Sequence, residues 1–367
     1  MGITRKKIFF AILAFIFIIL TTFICSEIIL RIYSKITPTL FAPKDKKYNQ
    51  ARANPNAWIN GFRLNSKGFH DVEFSVQKKE GTNRILAIGD SFTFGVVPYE
   101  NNFITLIEGY LNQKKPTEII NMGIPGLDVE GYLSLLVDEG LELNPDMILL
   151  NLYIGNDLSE VATKEESSIY TVRFINYILA YSKINNNENS GIVRVGGDSK
   201  ENLYKDNSKT MNDQYFYDIE KSRFVIYFDN DRIMKLLKSR YKYVFKDINT
   251  INQICIAKNI KLLIVLMPSE IQVDKNLQKE VEVRLNDSLY KLVDSYDNLI
   301  KSINYSLPNT LVKNELNRQK IQYLDLLEPF QERALRERLY KPNDTHWNIT
   351  GNLFAAQLIY EYINKNN

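Results

Sequence analysis

Residues 84–95 read RILAIGDSFTFG. A near-continuous apolar run is what a strand covered on both faces requires. The glycine that ends it permits a sharp turn, and the apolar residues beyond suit the start of a helix. The stretch therefore predicts a buried strand that delivers Ser91 to the rim of a sheet. A serine in that position suits a nucleophile: its hydroxyl is exposed by the turn, and the N–H groups that follow point to where an oxyanion would form. The pattern is not the G-x-S-x-G elbow, because Thr93 stands where the last glycine would be. A helix cap on a strand–helix loop accounts for the same residues without chemistry.

The chain on either side extends this pattern. Further strands are expected at 118–122 (EIINM), 147–154 (MILLNLYI), 261–267 (KLLIVLM) and 321–326 (IQYLDL), with helical spacing at 101–114, 128–143, 243–258 and 350–364. Short apolar runs alternating with amphipathic segments predict an α/β fold, a three-layer α/β/α (flavodoxin-like) arrangement around a parallel sheet. Residues 159–230, rich in Asn, Lys, Glu, Ser and Tyr, break the rhythm. They read as an insertion, either a solvated loop or a lid or substrate platform. Residues 272–305 read as helical and solvated.

Three more blocks carry side chains suited to chemistry. Residues 121–126 (NMGIPG) form a tight loop after the second strand, whose backbone can approach a ligand. Residues 154–157 (IGND) follow the third strand, and Asn156 offers an amide donor for a tetrahedral oxyanion. Near the C-terminus, residues 343–347 read NDTHW. The two-residue spacing predicts that Asp344 and His346 share one side of an extended segment, where the carboxylate would orient the imidazole and stabilise its cation. Asn348 or Thr350 would cap the last helix. The chain has only two histidines, His70 and His346. In a doubly wound sheet the carboxyl ends of the strands share one face, so the first three blocks would meet there.

Composition narrows the classes. Forty-six basic and 43 acidic residues give a net charge of +3, spread along the chain, and no basic stripe points to nucleic acid. The two cysteines, Cys25 and Cys255, cannot build a disulfide framework, and no Cys/His cluster has zinc spacing. No metal or organic cofactor is expected.

At the N-terminus, residues 8–25 run without a charge and span roughly 27 Å as a helix, close to the thickness of a bilayer core. Arg5, Lys6 and Lys7 precede them. The expectation is one transmembrane anchor over 8–30, a tether over 31–60, and an extracytoplasmic domain over 61–367. A cleaved signal peptide is the rival reading, though no small-x-small site follows the apolar run.

Taken together, the blocks resemble the SGNH/GDSL hydrolase superfamily over roughly residues 82–362. The resemblance implies Ser91 as nucleophile, His346 as base and Asp344 as triad acid. It also implies an oxyanion hole from the Ser91 and Gly126 backbone and the Asn156 side chain, with Gly123 a near rival of Gly126. The more common pattern of that family has its Asp three residues before the His; that position is Asn343 here. The Asp-x-His-Trp form is similar to a branch that includes extracytoplasmic polysaccharide O-acetylation proteins. Residues 63–70 (RLNSKGFH) resemble an element found ahead of the GDS block in anchored members, and His70 is expected to be structural or on the surface. The function implied is a serine esterase acting on ester groups, O-acetyl above all, of an extracytoplasmic glycan or lipid. The alternatives are an O-acyltransferase to an envelope polysaccharide, which would need a separate membrane acyl-donor protein, and a non-catalytic glycan-binding protein.

Overall fold

A computed structural model of the chain describes residues 5–37, 52–158, 167, 169–184, 200–285 and 301–366. Five strands form one sheet: β3 (Asn83–Ile88), β4 (Thr117–Asn121), β5 (Met147–Tyr153), β6 (Lys261–Met267) and β7 (Gln322–Asp325). Their order is β4-β3-β5-β6-β7 and every pairing is parallel, with Ile85 opposite Ile119 on one side and Met147 on the other. A short antiparallel hairpin, β1 (Trp58–Ile59) and β2 (Phe62–Arg63), precedes the sheet.

Alternate residues of each strand serve opposite faces, as the period of two demands. Among the described residues, the helices in chain order are α1 (Arg5–Ile36), α2 (Ser91–Phe94), α3 (Phe103–Asn112), α4 (Val129–Leu135), α5 (Tyr170–Ile184), α6 (Asp213–Arg223), α7 (Asp231–Ala257), α8 (Glu270–Val273), α9 (Lys275–Arg284), α10 (Leu307–Gln319), α11 (Leu327–Ala334) and α12 (Ile349–Asn366). Leu86, Ile88, Ile148, Leu150 and Ile264 pack with α4, α7 and α10. Ile85, Ala87, Leu149, Leu263 and Val265 pack on the other side with α3, α11 and α12. The result is the three-layer α/β/α arrangement expected from the sequence.

The chain enters the sheet at β3, steps to the edge at β4, then crosses back past β3 to β5. The direction of winding thus reverses between β3 and β5, the switch point at which open α/β sheets place their sites, beyond the carboxyl ends of the strands. Ser91 follows β3 and Asn156 follows β5, so the topology carries both to that switch point.

Several boundaries differ from the sequence reading. The helix expected at 243–258 starts at Asp231, because Asn230 caps it by accepting the N–H groups of Arg232 and Ile233. The dense Lys and Arg of its first three turns hide its apolar stripe. The helix expected at 128–143 is α-helical only to Leu135; it then widens into a π turn (Leu136–Gly140) and ends at Asn144 in a left-handed conformation. The segment expected as a tether is divided. Residues 31–36 continue α1, residues 38–51 lie outside the described residues, and Ala53 and Ala57 are buried against Leu64 and Phe94.

The insertion at 159–230 is likewise not one solvated loop. Residues 159–166, 168 and 185–199 lie outside the described residues. The remainder contributes α5, α6 and the buried Phe216, Phe224, Ile226 and Tyr227, all four part of the main core. Of the stretch 272–305, α9 is helical as expected and 286–300 lies outside the described residues.

α1 is long and apolar enough, by length and composition, to cross a membrane over Lys6–Ser34.

Candidate active site

Ser91 opens α2, a single turn that follows β3. Asp90 caps that turn by accepting the Phe92 N–H at 2.9 Å. Gly89 lies so close to the turn that a Cβ there would stand 2.1 Å from Thr93 Oγ1, which is why glycine ends the strand. Beneath the turn, Phe92 stacks on Tyr153 with ring centroids 4.2 Å apart and meets Trp347 edge to face at 5.2 Å. Ser91 itself is part-exposed above this aromatic floor.

His346 reaches Ser91 from the other end of the chain. Its Nε2 stands 2.7 Å from Ser91 Oγ, and its Nδ1 stands 2.6 Å from Asp344 Oδ1. An ionised carboxylate can only accept, so Nδ1 carries the ring proton and donates it. Nε2 is then the free lone pair, and the Ser91 hydroxyl donates to it. The arrangement is a continuous relay from hydroxyl to imidazole to carboxylate. Burial raises the Asp344 carboxyl, but the hydrogen bond and charge of His346, with help from Thr210 and Lys341, outweigh it and hold the group at about 2.

The local backbone is not the extended segment expected. The Lys341 N–H donates to the His346 carbonyl at 3.0 Å and the Asn348 N–H to the Leu339 carbonyl at 3.0 Å, so residues 339–348 form a hairpin. Asp344 lies in its bend, where Oδ1 also accepts the His346 main-chain N–H at 3.1 Å. A short acidic side chain bonding two residues ahead is the usual Asx turn, and it explains how a spacing of two suffices. Asn343, at the position where an Asp is more common, has φ +46°. Asparagine tolerates that left-handed conformation better than most residues. Asn348 caps α12, accepting the Gly351 N–H at 2.8 Å.

Asn156 is positioned by Asp90, to which its Nδ2 donates at 3.1 Å. One aspartate thus holds both the Ser91 turn and the Asn156 amide. Asp157 closes the same loop by accepting the Tyr153 N–H at 2.8 Å and the Tyr132 hydroxyl at 2.9 Å. Asp90 and Asp157 are both fully buried; burial pushes both carboxyls up, and for Asp157 the nearby Asp90 charge adds to the rise.

The two rival glycines differ plainly. Gly123 is wedged against α2, where a Cβ would stand 2.1 Å from the Phe94 nitrogen, and its N–H already donates to Asn121 Oδ1 at 2.9 Å. Gly126 has φ +72° and open space around its Cα. It follows Pro125 in a turn closed by the Leu127 N–H on the Ile124 carbonyl at 3.2 Å, the type II arrangement that requires glycine at its third position.

His70 lies elsewhere. It is fully buried, not on the surface, and its Nδ1–H donates to the Phe94 carbonyl at 2.9 Å. Burial lowers its basicity, only partly opposed by the Phe94 and Gly95 carbonyls. Its neighbour Asp71 accepts the Asn121 N–H at 2.8 Å. The element at 63–71 therefore braces the loops after β3 and β4.

Two supports were not legible in sequence. The Thr210 N–H donates to the Pro342 carbonyl and the Met211 N–H to the Asn343 carbonyl, so part of the insertion straps the His346 hairpin in place. Asp206 accepts the Ile349 N–H at 3.0 Å at the start of α12. Only the left-handed propensity of Asn343 hinted at a special bend there.

No family model matches the chain, and no curated protein matches it. Several solved structures are similar. An acetyl xylan esterase, AlAXEase, aligns at 16% identity over 76% of this chain and 99% of its own, with a TM-score of 0.41. A GDSL-like lipase from Bacteroides thetaiotaomicron VPI-5482 aligns at 12% identity over 80% and 93%, with a TM-score of 0.40. A two-domain esterase (CEX) active on acetylated mannans aligns at 11% identity over 87% of this chain and 56% of its own, with a TM-score of 0.40. The likeness is one of fold alone.

Proposed function

We propose that this chain is a serine esterase of the SGNH type that cleaves ester bonds through an acyl-enzyme. The observation that carries the reading is the unbroken relay from Ser91 Oγ through His346 to Asp344, at 2.7 and 2.6 Å. In this reading Ser91 attacks the ester carbonyl while His346 Nε2 takes its proton. The oxyanion is met by the Ser91 and Gly126 N–H groups and the Asn156 amide. Collapse expels the alcohol, which takes the proton back from His346, and leaves the acyl group on Ser91. Water, deprotonated by the same imidazole, then releases the acid.

The length and apolar composition of α1 support an envelope substrate in this reading. With Arg5, Lys6 and Lys7 ahead of its apolar stretch, α1 anchors the domain outside the cytoplasm, within reach of envelope glycans and lipids. O-acetyl groups on such molecules fit a nucleophile that is only part-exposed. Transfer to a sugar hydroxyl would use the same acyl-enzyme with a different acceptor.

The test is labelling of the full chain with a fluorophosphonate probe, mapped by mass spectrometry. The adduct is expected on Ser91 alone and is expected to vanish, with turnover of acetyl esters, in Ser91→Ala. No adduct at Ser91, or undiminished turnover in the variant, would sink the proposal and favour a binding protein on this fold.

A further inference from the structure

The polar interruption of α1 has a partner. Ser26 and Glu27 follow directly on the uncharged run at 8–25, and α5 begins beside them. The Glu27 carboxylate accepts the N–H groups of Tyr170 at 3.1 Å and Thr171 at 2.9 Å, and the Thr171 hydroxyl at 3.1 Å. It supplies from one helix the cap that satisfies the first donors of another. Ser26 Oγ lies 3.0 Å from Thr171 Oγ1. Arg31 pairs with Glu27 at 2.7 Å and also lies over the Tyr170 ring, which Arg173 covers at 5.0 Å.

Beyond this junction α5 shows an apolar face to its surroundings. Ile175, Ile178 and Leu179 are 50%, 48% and 54% exposed. Their spacing of three and four places them on one side of the helix. At 15 residues the helix is about 22 Å long, short of the roughly 30 Å hydrocarbon core, so it does not cross a bilayer.

We infer that α5 lies on the outer leaflet of the bilayer, with Ile175, Ile178 and Leu179 among the lipid chains and Glu27 as the clamp that fixes its start at headgroup level. The inference rests on the anchor reading of α1. Lipid is the occupant because Glu27 clamps the start of α5 to the end of the uncharged run of α1, where the neighbouring Ile24 and Ile28 are themselves exposed. The junction itself has the composition of a membrane interface: a tyrosine ring between two guanidinium groups. The anchor alone would leave the domain on a leash, whereas α5 adds a second contact. The strap at Thr210 and Met211 that holds the His346 hairpin belongs to the same insertion, so the seat on the membrane and the brace of the site are parts of one excursion of the chain.

The experiment places an NBD fluorophore at Ile178→Cys in a Cys25→Ser background; Cys255 is buried and silent. The full chain is reconstituted in phosphatidylcholine–phosphatidylglycerol vesicles. Emission is expected to shift to the blue, and most of it should be lost when nitroxide-labelled lipid is included. Glu27→Ala should return the label to a water-like spectrum, and retained quenching there would overturn the clamp. A water-like spectrum in the parent, with the protein still resistant to carbonate extraction, would overturn the inference while leaving the anchor intact. A blue-shifted label that lipid nitroxide does not touch would mean a second copy covers the face, and would also overturn it. Extraction of the whole protein by carbonate would defeat the anchor reading itself.

Discussion

One oxygen of Asp344 binds His346 twice, accepting the ring Nδ1–H at 2.6 Å and the main-chain N–H at 3.1 Å. The ring orientation and the bend that presents it are therefore fixed by the same atom. Asp344→Asn should lower kcat by about 10³-fold or more, since an amide at that place can favour the wrong imidazole tautomer. Steady-state kinetics on an acetyl ester checks this. Because the carboxyl is held at about 2, its ionisation should not shape the activity profile above about pH 4. A near-silent variant would remove Asp344 from the relay.

Asn156→Ala should reduce kcat by roughly 10²–10³ while leaving slow labelling of Ser91 intact, as expected when one oxyanion donor is lost. Asp90→Asn should reproduce part of that loss, because Asp90 both holds the Asn156 amide and caps the Ser91 turn. Burst-phase and steady-state rates of the two variants make the comparison.

The glycines separate by substitution. Gly123→Ala would drive a methyl into the Phe94 backbone and displace the Ser91 turn, so activity should fall by about 10²-fold. Gly126→Ala meets open space and only the strain of its positive φ, about 1–2 kcal/mol. It should stay folded and keep most of its labelling. Thermal melts alongside probe labelling distinguish the two cases.

His70→Ala should lower stability by about 1–3 kcal/mol, because the Phe94 carbonyl keeps only its Asn102 Nδ2 donor and the buried imidazole leaves a void. It should still label at Ser91. His346→Ala should lose the label, and some stability with it, because the buried Asp344 carboxylate loses its ring donor; labelling, not melting, separates the two histidines. The opposite pattern would exchange the roles of the two histidines.

Glu220 supplies a pH test of stability. It is 2% exposed, and burial, only partly offset by the Arg223 charge, pushes its carboxyl up to about 7. In the unfolded chain the value is about 4.3. Between those values the folded state holds a proton that the unfolded state has lost, so this contribution is full below about pH 4 and is lost as pH rises through 7. Glu220→Gln should flatten the decline in urea midpoint between pH 5 and 8, by on the order of 2–3 kcal/mol across that range. An unchanged slope would show that Glu220 does not carry this titration.

The parts legible in sequence were those set by short-range rules. The run that becomes β3 is apolar on both faces because both faces are covered, and Gly89 had to be small because Thr93 Oγ1 lies against it. Asp344 and His346 are near neighbours in the chain, so their pairing needed no knowledge of the fold, although the bend that achieves it was misread as extended. What could not be read depends on distant contacts. The strap from Thr210 and Met211 to the hairpin joins main-chain atoms, which leave no trace in side-chain pattern. The amphipathic start of α7 is masked by its basic residues, and the support from Asp71 to the Asn121 N–H spans 50 positions.

The Ser91–His346 contact joins residues 255 positions apart. During synthesis the Ser91 turn emerges early, followed by the loop that carries Asn156, yet Ser91 has no imidazole beside it until the hairpin at 339–348 has been made and docked. Domains form from the N-terminus at about 5–20 residues per second, so the gap lasts on the order of 10–50 s. Throughout that interval the serine is an ordinary alcohol. A nascent or prematurely terminated chain thus carries Ser91 without its imidazole partner, and the complete relay arrives as one of the last events of folding.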